Sequence, residues 1–234
     1  MNQFYASPDQ INDTYIWLEG QEANHAAKVL RKGVGDTIII TDGIGTRYKG
    51  KIESIAKNRV SVELSEAIRF RKPNPARVLA LGMIKKRDRL EFAVEKATEL
   101  GISEIILFRG DHSESFKIRM DRVEAAVLSA MKQSLRVYLP SVKITESVDA
   151  LLAQNKKETV ILHADQQGKS TGYTLTDVER VLMVVGPEGG LSERERALLK
   201  QAGAEDLRLG DYRLRAETAA MVMASRFGNS DVRI

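Results

Sequence analysis

Apolar positions at helical spacing appear first between Glu22 and Lys32, where Ala26, Val29 and Leu30 share a face and Gly33 and Gly35 follow as a stop. The opposite stripe of that predicted helix carries His25, Lys28, Arg31 and Lys32. Three strand-like runs come next, Thr37–Thr41, Arg47–Ile55 and Arg59–Leu64, separated by turn residues at Asp42-Gly43, Gly45 and Lys57-Asn58. Short strands joined by tight turns predict a small barrel or curled sheet over residues 1–70. Pro73 and Pro75 interrupt the pattern, because proline continues neither ladder nor helix.

A second domain, 76–234, is predicted from the change of period that follows. Val78–Met83, Ile102–Phe108, Thr159–His163, Arg180–Val185 and Asp206–Leu209 read as strands. Asp88–Leu100, Arg119–Val137 and Ser192–Gln201 read as helices, and a last helix begins near Ala216. Gly101 stands at the C′ position of the first of these. Ser192-Glu193-Arg194-Glu195 has the form of a capping box. Alternation of this kind predicts an α/β domain with a parallel sheet covered by helices.

Composition changes this picture little. Of 234 residues, 43% are hydrophobic and 29% charged, as in ordinary globular proteins. Cysteine is absent and the histidines number three, so no disulfide framework and no structural metal site is expected. A cytoplasmic home is expected, with no membrane partner, since no basic and apolar leader pattern opens the chain and no apolar run is long enough to span a bilayer. Charge is more informative by position. Arg69 to Arg89 holds eight basic residues and one acid, +7 in all, against +4 for the whole chain. A local excess of this kind fits either an RNA-facing patch or a solvated linker.

Ligands in open α/β sheets bind beyond the carboxyl ends of the strands, and three predicted strand ends carry unusual residues. They are Leu162-His163-Ala164-Asp165, then Val185-Gly186-Pro187-Glu188-Gly189-Gly190, then Leu209 to Thr218. The glycines of the second let a ligand approach backbone amides. It matches neither a dinucleotide fingerprint nor a Walker A loop, which disfavours a phosphate cradle; a plain strand-to-helix turn remains open. In the third, Arg213 and Arg215 precede a helix, where positive charge opposes the dipole. Cations held there are expected to serve a ligand.

On these residues the chain resembles the 16S ribosomal RNA uridine-N3 methyltransferases, of the SPOUT class. The resemblance rests on Val185–Ser192, Leu209–Thr218, Leu90–Gly101, Gln133-Ser-Leu-Arg136 and His25–Arg31, in order. It implies a small PUA-like β-barrel followed by an α/β SPOUT domain with a C-terminal trefoil knot, and a homodimer. It implies methyl transfer from S-adenosylmethionine to N3 of a uridine in the small ribosomal subunit. A different target such as a ribose 2′-hydroxyl, or a non-catalytic RNA-binding module, are the alternatives. The cofactor residues implied are Leu162, His163, Gly186, Pro187, Glu188, Gly189, Leu209, Gly210, Leu214, Glu217 and Thr218. Arg215 is the expected catalytic residue, stabilising the uracil anion; Glu188 and Glu217 are candidate general bases but are expected to be structural, with solvent taking the proton. RNA contacts are expected from His25, Lys28, Arg31, Lys32, Lys85, Arg87 and Arg136, the last on a helical stripe with Ser129, Lys132 and Gln133. Lys132, where an acid is expected, and Asp111-His112-Ser113-Glu114 depart from the family pattern.

Overall fold

The computed structural model describes residues 2–113, 117–154, 159–169 and 178–228, with the backbone of 232–233; Glu114 lies outside them. The chain forms two compact units. The first is Met1–Lys72 joined by Met131–Leu139 and the last strand, and the second is built from Pro73–Ala130 and Pro140–Ser230.

The first unit is a curled sheet. Strands β1 (Gln3–Tyr5) and β2 (Tyr15–Glu19) precede helix α1 (Gly20–Asn24), and β3 (Thr37–Thr41), β4 (Thr46–Ala56) and β5 (Arg59–Arg71) follow it. β1 pairs parallel with β3, whereas β3–β4, β4–β5 and β2–β5 are antiparallel. Alternate residues point inward, so Ile16 and Leu18, Ile38 and Ile40, and Val60 and Val62 form one core with Phe4 and Ile52. β5 extends past Leu64 because Glu66–Arg69 stay paired with Lys49–Thr46, although the apolar alternation has stopped. Arg69 and Arg71 therefore lie on a strand, not on the linker expected there.

The predicted first helix is only partly regular. After α1 the chain widens into a π turn over His25–Val29, with Leu30 N–H donating to His25 O and Lys32 N–H to Ala26 O. The extra residue per turn shifts the phase. Ala23 and Ala26 stay buried, while Val29, expected on the inner face, is 68% exposed. Arg31 takes a φ of +51° and ends the helix, so Arg31 and Lys32 leave the stripe that Lys28 belongs to.

In the second unit, β6 (Ala76–Gly82), α2 (Arg87–Glu99), β7 (Glu104–Phe108), α3 (Met120–Gln133), β8 (Ser141–Thr145), α4 (Val148–Ala153), β9 (Thr159–Lys169), β10 (Arg180–Val185), α5 (Glu193–Gln201), β11 (Glu205–Leu207) and α6 (Ala216–Phe227) follow in order. The six strands form one parallel sheet, β11-β9-β10-β6-β7-β8. Both faces are covered, which explains the unbroken apolar run of β10. Val78, Ala80, Leu182 and Val184 face α4 and α5. On the other face α2 and α6 pack together on β6, with Ala93, Ala97, Ala220 and Ala224 fully buried. The final strand β12 (Val232–Arg233) pairs antiparallel with β5 in the first unit.

α3 ends at Gln133, short of the predicted Val137, because Leu135 has a φ of +58°. The following residues belong to the first unit. Gln3 donates to Arg136 O at 2.7 Å, Arg47 donates to Leu135 O, and Leu139 N–H donates to Gly43 O. Lys132, the departure noted above, forms an ion pair with Glu22. Arg136, an expected RNA contact, is only 6% exposed, and the stripe with Ser129 is broken by the turn at Leu135.

Candidate active site

The chain leaves β6 toward β7 on one side of the sheet and returns through β9 and β10 on the other. The carboxyl ends of β6 and β10 thus flank a topological switch point, where α/β sheets hold ligands. Val185 stands opposite Leu81, which sets Gly186 beside Gly82. A Cβ on Gly82 would lie 2.3 Å from Pro187 N and 2.8 Å from Gly186 C, so only glycine admits the loop here. Gly190 turns the loop with a φ of +73°. Ser192 then caps α5, with Ser192 Oγ accepting from Glu195 N–H at 3.1 Å and Glu195 Oε2 accepting from Ser192 N–H at 2.8 Å.

Buried Glu195 also ties down a neighbouring loop, since its Oε1 accepts from Asp111 N–H at 3.0 Å. The Asp111 carboxylate accepts from Arg194 at 2.8 Å and from Ser192 Oγ at 2.6 Å, contacts that lower its pKa from 3.8 to about 2. A depressed carboxylate contributes stability that is complete above the unfolded value, near pH 4, and is lost as pH falls through about 2. Asp111→Asn is therefore expected to melt below wild type at pH 6, with the gap closing as pH approaches 2. Parallel melting curves at every pH would contradict this.

The third strand end is held by Arg226, whose Nη2 donates to Leu209 O at 2.8 Å, and by Arg208, which pairs with Asp211 at 3.1 Å. Strand β11 ends at Leu207, earlier than the predicted Leu209. Arg215 is the N-cap residue of α6, exposed and without a side-chain capping bond. Among the described residues its guanidinium has no hydrogen-bond or ion-pair partner.

Two cavities open here. One, of about 630 Å³, is lined by His163 to Gln167, by Val185 to Leu191, and by Arg89, Arg196, Arg213, Leu214 and Arg215. Gly186, Pro187, Glu188, Gly189, His163 and Leu214 thus line one cavity. Leu209 and Gly210 line a small adjoining recess with Leu214 and Ala164. Leu162 is fully buried in β9 and lines none of these cavities, so its expected contact is not seen. His163 is 3% exposed, with Nδ1 2.7 Å from Asp206 Oδ1. The other cavity, of about 760 Å³, is bounded by Lys86, Asp88, Arg89 and Phe92 from the start of α2, and by Arg213, Leu214, Arg215, Glu217 and Thr218. Glu217 and Thr218 line this second space, not the glycine-walled one where they were expected.

Arg89 links the walls. Its Nη1 lies 3.5 Å from Glu188 Oε1 and its Nε 3.4 Å from Glu217 Oε1. Glu188 Oε2 also accepts from Lys85 N–H at 3.3 Å. Neither Arg89 nor Gly82 was picked out from sequence, although a glycine closing an apolar strand is a signal of close backbone approach. Lys85 and Arg87 are exposed, and Arg87 pairs with Glu91 at 3.5 Å. Lys28 and Arg31 are exposed, and His25 is half-buried with its ring 5.7 Å from that of Phe4. The basic run is no continuous patch: Arg77 is 8% exposed inside β6, and burial lowers its pKa. Among the described residues no cluster of metal-ligating side chains occurs, and no helix is long and apolar enough to cross a membrane.

The family model of an RNA methyltransferase domain matches residues 72–228. This chain belongs to the RNA methyltransferase family. A model of an RNA methyltransferase PUA domain matches residues 18–65 of the same methyltransferase. Ribosomal RNA small subunit methyltransferase E of Rickettsia conorii is 29% identical over 94% of this chain and 92% of that protein. Its Bacillus subtilis counterpart is 29% identical over 89% and 87%. Among solved structures, a probable rRNA-methyltransferase from Porphyromonas gingivalis superposes with a TM-score of 0.83, at 30% identity, over 96% of this chain and 95% of that one. Ribosomal RNA small subunit methyltransferase E from Neisseria gonorrhoeae bound to S-adenosyl methionine gives 0.84, at 25% identity and the same coverage. The methyltransferase therefore has the PUA-like unit plus parallel α/β unit expected from its sequence.

Proposed function

We propose that this methyltransferase transfers the methyl group of S-adenosylmethionine to N3 of a uridine in 16S ribosomal RNA of the small subunit. The observation that carries the reading is the glycine-walled cavity at the β6–β10 switch point, bordered by an exposed arginine that has no partner among the described residues. Its volume, about 630 Å³, suits a small-molecule cofactor. The residues present fit the group. Gly82 lets the 186–190 loop pack closely on β6, Gly186–Gly190 offers main-chain polar groups, and Leu191, Leu214 and Ala219 supply apolar surface. When bound, S-adenosylmethionine supplies an activated methyl group. The protein's own part is orientation and charge. Arg215 faces the cavity wall and stabilises negative charge as uracil loses its N3 proton.

The name and bound cofactor of the Neisseria relative support the cofactor and the small-subunit target. We further assign a homodimeric, cytoplasmic enzyme whose last loops form a trefoil knot, with residues 1–70, completed by Met131–Leu139 and the last strand, as the RNA-binding domain and the rest of 76–234 as the transferase domain. Lys28, Arg31, Lys32, Lys85 and Arg87 are the phosphate contacts of this reading. Arg31 has a φ of +51° and ends the helix, so the variant that leaves this turn untouched is Lys28→Ala with Lys32→Ala. It is expected to weaken binding of small-subunit RNA for all sequences and to reduce the salt slope by roughly one per lost contact. An unchanged slope would move the RNA path elsewhere. The function itself is tested by incubating the protein with methyl-labelled cofactor and small subunits, then mapping the labelled nucleoside. Label at N3 of one uridine is expected; label on a ribose, or none, refutes the assignment.

A further inference from the structure

Glu217 is the first unexplained feature of the second cavity. Its side chain is 10% exposed, and its Oε1 lies against Arg89, yet its buried Oε2 has no hydrogen-bond partner. A buried carboxylate oxygen without a donor costs free energy unless a ligand satisfies it. Glu217 lines the 760 Å³ cavity and not the glycine-walled one, with Oε2 buried just behind that wall. The two cavities share Arg89, Arg213, Leu214 and Arg215 as their partition. The same space is lined by Phe92, an α2 residue that exposes 40% of its surface, and by Lys86. An exposed aromatic ring, a cation and an orphan acceptor together suit an unstacked nucleobase that carries a ring N–H.

Resting on the reading above, we infer that this second cavity receives the target uracil, that Phe92 stacks on it, and that Glu217 Oε2 takes its N3 proton. The transfer is balanced. The N3–H bond breaks, its electron pair stays on nitrogen, the proton bonds to Oε2, and one negative charge passes from the carboxylate to the uracil. Arg215, on the partition, stabilises that charge. Arg89 holds Oε1 and so orients Oε2. The charged groups facing Glu217 are Arg89, Asp88 and Lys86 from the α2 side, Arg213 and Arg215 from the preceding loop, and Glu188 through Arg89.

Glu217→Gln keeps the shape and one acceptor oxygen but removes the proton acceptor. Three measurements on the intact protein separate the possibilities. Calorimetry with S-adenosylmethionine is expected to show unchanged affinity in Glu217→Gln and in Phe92→Ala. Uridine 5′-monophosphate is expected to shift the amide resonances of Lys86, Asp88, Phe92 and Thr218, in wild type and Glu217→Gln alike, and to fail in Phe92→Ala. Single-turnover methylation of small subunits is expected to fall ~10²–10⁴-fold in Glu217→Gln, the usual range for a general base. The remaining rate should climb with pH relative to wild type, because solvent then ionises the uracil. A wild-type protein that binds no S-adenosylmethionine and methylates no subunit would overturn the function itself. A wild type that methylates, with Glu217→Gln matching it in rate and pH profile, would overturn only the assignment of Glu217. Nucleotide shifts confined to 186–190, or no shifts, would overturn the cavity assignment.

Discussion

Replacing Arg215 by alanine is expected to lower single-turnover methylation by ~10²–10³, the cost of losing one group that stabilises developing negative charge. Cofactor affinity should change far less, because a positively charged sulfonium gains nothing from a neighbouring guanidinium. Stability should hold or rise slightly. Arg215 caps α6 without a side-chain bond, so alanine removes no cap, and it relieves a cation at the positive end of the helix. Single-turnover rates, cofactor calorimetry and thermal melting on one preparation test all three. Normal turnover in the variant, or inactivity explained by unfolding, would make Arg215 structural.

Gly82→Ala is expected to damage the cofactor cavity from a residue that does not line it. The new methyl would sit 2.3 Å from Pro187 N and 2.4 Å from Pro187 Cδ, so the 186–190 loop must move or the strand must. Overpacking of this kind costs ~1–3 kcal/mol, a fall in Tm of roughly 2–4 °C for each kcal/mol in a chain of this size. Displacing the loop is expected to weaken S-adenosylmethionine binding about 10-fold or more, which corresponds to ~1.4 kcal/mol. Gly33→Ala, outside the site, is the matched control, since a Cβ there meets nothing within 4 Å. Equal cofactor affinity in the two variants would show that the Gly82–Pro187 contact does not shape the site.

The parts of the fold with strong local signals were readable in the sequence. β10 spans Arg180–Val185 as predicted because a strand buried on both faces is a continuous apolar run. α5 starts where the Ser192 capping box places it, and α6 begins at Ala216 as expected. Edge elements escaped. β1 is three residues long, and β8 has a burial pattern with one buried position in five, too little contrast for periodicity to detect. The π turn at His25–Val29 was invisible for a related reason: the apolar spacing of an ordinary helix tolerates Val29, and only the phase shift turns it outward. At the site, the glycine loop and Arg215 announce themselves by residue type. Arg89 does not, because its meaning comes from Glu188 and Glu217, 99 and 128 positions away in the chain, which folding brings together. That Glu217 and Thr218 face a different cavity from Gly186 follows from the α2–α6 contact, which no local pattern encodes.

The return of Met131–Leu139 to the first unit bears on how the protein is made and how it is cut. A ribosome delivers Gln3, Thr41 and Arg47 long before the carbonyls of Leu135, Arg136 and Val137 that they bond. The nascent amino-terminal sheet therefore waits, partly unsatisfied, until Val137, well past the midpoint of the chain, has emerged. An excised fragment that stops at Lys72 repeats that immature state permanently. A self-sufficient version of the RNA-binding module needs the distant nonapeptide spliced back onto it.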